Sequence, residues 1–308
     1  MENIPLDPKL ETLLQDYHHH CREVSGLASA TSSLRLLRAR SFLIDLSVPG
    51  PLVLSRLSAS VVMDYLARVS RQTPKDSLPG LLSGVRCFLR FLHVQGVLSV
   101  ALAQVLPPVA RPATAPPPKY LLADQLQQLL RTAVDRRSPL GRRDYAVVLC
   151  LARLGLRAGE VARLKLEDVD WHRGTLTVRR TKNHRTSLLP LPQPVGQAWV
   201  NYLRRGRPPT ALREIFVSGH EPPRAMTTNS ISKVVTRALV RAGLSSQPSR
   251  GAHLLRHTLA TQLVQHGASL KAVADLLGHQ NLQTTRVYAK VNRPMLAEVA
   301  QPWPEVQR

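Results

Sequence analysis

Residues 253–257 read His253-Leu254-Leu255-Arg256-His257, and on a helix positions 253, 256 and 257 share one face. An arginine fork beside an imidazole is suited to a phosphate, which it can grip bidentately while a proton is moved nearby. Two histidines four apart also invite zinc. However, Leu254 stands where the zinc-protease motif carries its glutamate, and a guanidinium on the same face opposes a dication. Surface or core histidines of an ordinary helix are the plain alternative. Further on, Leu276-Leu277-Gly278-His279 is followed nine residues later by Tyr288. A lone tyrosine is commonly a half-buried packing residue, and its phenol, with a pKa near 10, attacks only where cations or a base favour the phenolate. Arg256, Arg286 and Lys290 are the cations on offer. Breaking a phosphodiester without a metal needs a nucleophile, charge neutralisation at the non-bridging oxygens and a proton for the leaving oxygen. This half of the chain offers candidates for all three.

The elements that must hold these groups are mixed. After residue 119, Leu126, Leu129, Leu130 and Val134 mark a helix, and Tyr145–Leu154 forms an apolar helix that Gly155 can end. Glu160, Val161 and Leu164 begin another. The period then changes to two, with Leu176 and Val178 alternating against Thr175, Thr177 and Arg179. The polar turn Lys182-Asn183-His184-Arg185 leads to a second strand through Leu188, Leu189 and Leu191. Helices resume at Ile231–Leu239, Leu254–His266, Leu270–Leu277 and Leu282–Ala289. Before residue 106 the pattern is all helical: Leu10, Leu13, Leu14 and Tyr17; Leu34, Leu36 and Leu37; Val61, Val62, Tyr65, Leu66 and Val69; Leu81, Val85, Phe88, Leu89 and Leu92. Between the halves, residues 106–119 hold six prolines in fourteen positions and predict a stiff extended linker. The expected organisation is a helical domain over 1–106, a linker over 107–118 and a mainly α domain with a small β-sheet over 119–308.

Charge narrows the partner. The chain carries a net +22, with 12 basic and 8 acidic side chains in 1–118 against 30 and 12 in 119–308. Such an excess repels itself unless a polyanion is near, so nucleic acid is expected. Aromatic residues are only 4%, which argues against a single-strand stacking module and favours duplex DNA. No run of 18 apolar residues suggests a membrane span, and the N-terminus lacks the apolar block of a signal peptide. Cys21, Cys87 and Cys150 are odd in number and lack metal spacing, which reads as reduced thiols in a cytoplasmic protein. The run His18-His19-His20 reads as a solvated helix end rather than a metal site.

Gly155-Leu156-Arg157-Ala158-Gly159-Glu160-Val161-Ala162-Arg163-Leu164, His253-Leu254-Leu255-Arg256-His257, Leu277-Gly278-His279 and Tyr288 occur in that order. The ordered set, with its spacings, resembles the tyrosine recombinases, the phage-integrase and Xer-like family. The resemblance covers essentially the whole chain and implies a helical core-binding (SAM-like) domain that clamps duplex DNA, followed by a mixed α/β catalytic domain. It implies that Arg157 and Arg256 hold the scissile phosphate, and that His253 and His279 bond it or assist proton transfer. Tyr288 would attack phosphorus to leave a 3′-phosphotyrosyl link, and Lys182 would protonate the departing 5′-oxygen. Relatives often flank that lysine with glycine, and Arg180 and Arg185 stand beside Lys182 as alternatives. Ala252 occupies a place where relatives often have proline. Glu160 is expected to brace the arginine region and His257 to support the site from behind. No cofactor or metal is implied. Self-association into a tetramer on DNA is, with Met295, Leu296, Val299 and Trp303 forming an apolar tail for a neighbouring subunit, and a partner recombinase is possible within the family. Integration, excision and resolution of a mobile element or replicon are the reactions this implies. Two other readings stay open: a catalytically silent DNA-binding accessory protein of the same fold, and a topoisomerase-like nicking enzyme.

Overall fold

A computed structural model describes residues 6–48, 52–74, 77–108, 118–132, 137–180, 185–245, 251–278, 285, 287 and 288. The chain divides into two compact units, Met1–Ala113 and Thr114–Arg308. Among the described residues no helix is long and apolar enough to cross a membrane.

The first unit is built from α1 (Pro8–His19), α2 (Ser29–Ser47), α3 (Ala59–Gln72) and α4 (Leu78–Val94). Local chemistry starts three of them. The Asp7 carboxylate accepts from the Lys9 N–H ahead of α1, Ser58 caps α3, and α4 takes a proline in its first turn, where no backbone donor is needed. Their shared interior holds Leu14, Tyr17, Phe42, Leu43, Val62, Tyr65, Val85, Phe88, Leu89 and Leu92. Tyr17 meets Phe88 edge-on at 5.0 Å, and Phe42 meets Tyr65 likewise at 4.8 Å. The apolar face of α2 differs from the expected one. Leu34 and Leu37 are 45% and 51% exposed, while Ala39, Phe42 and Leu43, half a helix further on, enter the core. The histidine run is also less solvated than expected. His18 Nε2 lies 3.4 Å from Ser32 Oγ, and the His20 ring packs on Phe91 at 5.3 Å.

The second unit centres on α6 (Pro139–Leu154), which is buried along most of its surface and therefore reads as apolar nearly all round. Around it pack α8 (Gln193–Arg205), α9 (Thr228–Arg241) and α10 (Ala252–Gln265), with α5 (Ala123–Thr132), α7 (Ala158–Ala162) and α11 (Leu270–Leu277) completing the layer. A three-stranded antiparallel sheet, in the order β1 (Val169–Asp170), β2 (Thr175–Arg180), β3 (Arg185–Pro190), lies within the same unit. Leu176 faces Leu189, and the β2–β3 register closes at Arg180–Arg185. The turn between them, with Lys182, Asn183 and His184, lies outside the described residues. So do Val134 and the prolines at 112 and 116–117, and Arg286, Lys290 and the 291–306 tail follow suit. The second strand ends at Pro190, so Leu191 falls beyond it, and Leu188 points outward at 67% exposure.

Candidate active site

Two helices end in the same way where the site forms. α6 stops at Gly155 and α11 at Gly278, both left-handed with φ of 61° and 63°, a conformation that favours glycine. A side chain at 155 is doubly excluded, because a Cβ there would stand 2.9 Å from methyl groups of Leu259 and Leu277. These two helix ends leave carbonyls to be satisfied, and Arg256 supplies the donors. Its Nη1 donates to the Gly155 carbonyl at 2.6 Å and its Nη2 to the Leu277 carbonyl at 2.5 Å. A buried guanidinium, 4% exposed, is thus held between two negative helix termini, where a cation is favoured. Two backbone carbonyls thus fix its position.

Arg157 stands immediately before α7. The Glu160 carboxylate accepts from the Arg157 backbone N–H at 2.8 Å and from its Nη1 at 2.9 Å. Glu160 is buried and the Arg157 side chain is 40% exposed, so the acid fixes the root of the arginine while its head still meets solvent. Glu160 therefore does what the sequence led us to expect of it.

On α10, His253 is exposed at the helix start and His257 is half-buried one turn later, with ring centroids 6.4 Å apart. Although His253 is exposed as a residue, partial desolvation of its ring lowers its pKa first, and the charges of Arg256 and then Arg157 lower it further. His257 is lowered by burial, then by His253 and Arg256. Tyr288 is buried to 1% exposure among Ala260, Val264, Val273 and Leu277. Burial raises its phenol pKa, and Arg256 pulls against that shift. Its Oη lies 2.7 Å from Nδ1 of His257.

Of the six site residues read from the sequence, Arg157, His253, Arg256 and Tyr288 are described, and they converge where α6, α10 and α11 meet. Lys182 and His279 lie outside the described residues. Sequence reasoning missed the two carbonyls that hold Arg256. The paired glycines after α6 and α11 were the available signal, since each announces a helix end with free carbonyls. It expected His257 to support the site, and the ring does so by touching the tyrosine hydroxyl.

Residues 119–294 match the model of the phage integrase family. The integrase/recombinase y4rA of Sinorhizobium fredii is 36% identical over 296 residues, covering 96% of this chain and 71% of that protein. The tyrosine recombinase XerD of Mycobacterium tuberculosis is 33% identical over 302 residues, covering 93% and 95%. In fold, the chain is similar to the XerH site-specific recombinase in its post-cleavage complex with difH substrate. The TM-score is 0.74 at 20% identity, covering 95% of this chain and 85% of that one. By the family match and the near full-length likeness to XerD, the chain belongs to the phage integrase family of tyrosine recombinases.

Proposed function

We propose that this chain is a site-specific recombinase that cuts and rejoins duplex DNA through a covalent link to Tyr288. The observation that carries the reading is the placement of the Arg256 guanidinium between two helix ends, near enough to Tyr288 for its charge to pull down the phenol pKa that burial raises. In the proposed reaction Arg256 and Arg157 hold the non-bridging oxygens, where permanently charged forks stabilise the pentacoordinate transition state. Tyr288 attacks phosphorus to give a 3′-phosphotyrosyl link, and Lys182 protonates the 5′-oxygen. His253 and His279 assist at the phosphate. Because the covalent bond conserves the phosphodiester energy, rejoining needs no nucleotide cofactor.

DNA is the partner that the net charge of +22 favours, and XerH, similar in fold, was solved bound to its palindromic difH substrate. Residues 1–106 would grip one face of the duplex and 119–308 the other, with a tetramer forming on two sites through the tail after Tyr288. One observation favours a second reading, binding without cleavage: Tyr288 is 1% exposed. For cleavage, its hydroxyl must meet a phosphate that displaces its present cover.

A nicked suicide duplex carrying a candidate site from DNA beside the gene separates the two readings. Wild type should form a protein–DNA adduct that survives denaturation, and Tyr288→Phe should form none while binding the duplex equally well. Binding by both proteins with no adduct across all flanking sequence would favour the second reading.

A further inference from the structure

The contact between His257 and Tyr288 has no part in the chemistry set out above. The rings lie 5.7 Å apart by centroid, tilted at 50°, with Nδ1 and Oη 2.7 Å from one another. That is a short hydrogen bond between the reacting oxygen and a group able to hold a proton. His257 directly follows Arg256, whose guanidinium is fixed to the ends of α6 and α11. The imidazole is therefore held on the same rigid helix that positions the phosphate-binding arginine. Resting on the reading above, we propose that His257 is the base for Tyr288, taking the phenolic proton during strand cleavage and returning it on rejoining.

The geometry suits this role. With the imidazole hydrogen on Nε2, Nδ1 accepts from the phenol. Burial keeps the resting pair neutral from both sides, pushing the phenol up and the imidazole down. The charged groups acting on the imidazole are His253 and Arg256, and both oppose its protonation. The proton therefore moves only as the O–P bond forms and the phenol loses its basicity. In the forward step the Oη–P bond forms, the P–O5′ bond breaks and the phenolic proton passes to Nδ1. The 5′-oxygen takes its proton from the separate acid, proposed as Lys182. Rejoining reverses each transfer.

The test uses the full chain on the nicked duplex. In His257→Asn, the amide oxygen can still accept the phenolic hydrogen bond but cannot keep the proton. Adduct formation should slow by about a hundredfold or more. Placing a fluorinated, more acidic tyrosine at 288 in that variant should restore at least about a tenth of the lost rate, since a stronger acid needs less help from a base. A substrate with sulfur at the bridging 5′ position should rescue Lys182→Ala but not His257→Asn, because a thiolate leaves without a proton. Duplex affinity and thermal midpoint check that each variant is folded, and His257→Gln replaces His257→Asn if the latter is not. A wild-type rate in the variant would overturn the inference. So would a slow rate that the acidic phenol fails to restore, which would leave His257 a positioning residue. If wild type itself makes no adduct, the proposed cleavage falls and this inference falls with it.

Discussion

The interior of the first unit is hydrocarbon and aromatic ring, and Ser32 is its one fully buried polar residue among those described. The second unit buries Arg143, Asp144, Glu160, Asp168, Arg256, Thr258, Thr261 and Thr285. Taking such groups out of water is costly unless each is hydrogen-bonded. Thr261 Oγ1 has no hydrogen-bond partner among the described residues, but several of the others have specific ones. Arg143 donates to Asp144 at 2.7 Å and to the Val217 carbonyl, Thr258 accepts from the Leu121 N–H, and Arg256 holds two helix ends. The first unit thus has the interior of a stable, chemically inert body. The second gives up part of that stability to fix charged groups in place, which is what a preorganised site requires. The net charge divides the same way, with the larger excess in residues 119–308.

The sharpest way to break this contrast is Arg256→Lys. An ammonium is a point charge and cannot span the carbonyls of Gly155 and Leu277 as the guanidinium does. Adduct formation should fall by about 10²–10³-fold, and the second unit should lose about 2 kcal/mol as a buried carbonyl goes unpaired. Quench-flow on the nicked duplex together with urea unfolding measures both. A lysine variant that cleaves as fast as wild type would mean that the buried polar core is not organised for catalysis.

Phe88→Ala probes the other side. Phe88 is fully buried between Tyr17 and Phe42, so its removal should cost about 3–5 kcal/mol. The three tryptophans, Trp171, Trp199 and Trp303, all lie in residues 119–308. Their fluorescence therefore reports the second unit, while circular dichroism reports both. The expected outcome is an early transition in circular dichroism with the tryptophan transition unmoved. If both shift together, the units fold as one cooperative body and the comparison loses its basis.

How far the sequence could be read follows the same division. Helices with a polar side, such as α3 and α4, were visible because periodicity records a partly wet surface. α2 was placed correctly but rotated wrongly, since Leu34 and Leu37 are as apolar as the residues that enter the core. In the second unit α8 escaped notice. Its proline and glycine at 194 and 196 blur the first turn, and only Val195, Ala198, Trp199 and Tyr202 mark its buried face. Ile215, Phe216 and Val217 are wholly buried without forming a regular element, held instead by backbone bonds to Leu164 and Met226. Such long-range pairing leaves no local pattern. At the site, the residue types and order of Arg157, Arg256 and Tyr288 were legible, but their partners were not. Carbonyls carry no sequence identity, so the anchor of Arg256 could be known only once α6 and α11 were placed. His257 is the complementary case. Its type was plain, but helical spacing alone could not tell which ring would face a tyrosine thirty-one residues away.

The smallest expected effect concerns pH, and it divides the units again. His253 and His257 bind a proton more weakly in the folded chain than in the unfolded one, first because of burial and then because of the neighbouring cations. Their contribution to stability is therefore whole above the ordinary imidazole value of about 6.5, and it is lost as pH falls through that value toward the depressed folded one. In the first unit, burial instead raises the Tyr65 phenol to about 12, a shift that acts only in alkali. Lowering pH from about 7.5 to 5.5 should lower the tryptophan-reported melting midpoint by a few degrees. Replacing both histidines, as His253→Gln with His257→Asn, should flatten that dependence. Cleavage should hold until pH reaches the lower, folded value of His257 and decline only there, because a protonated His257 cannot accept from Tyr288. A midpoint that falls equally in the double variant would assign the acid sensitivity elsewhere. A cleavage rate that stays level even after the midpoint has stopped falling would separate the stability of this histidine pair from its proposed chemistry.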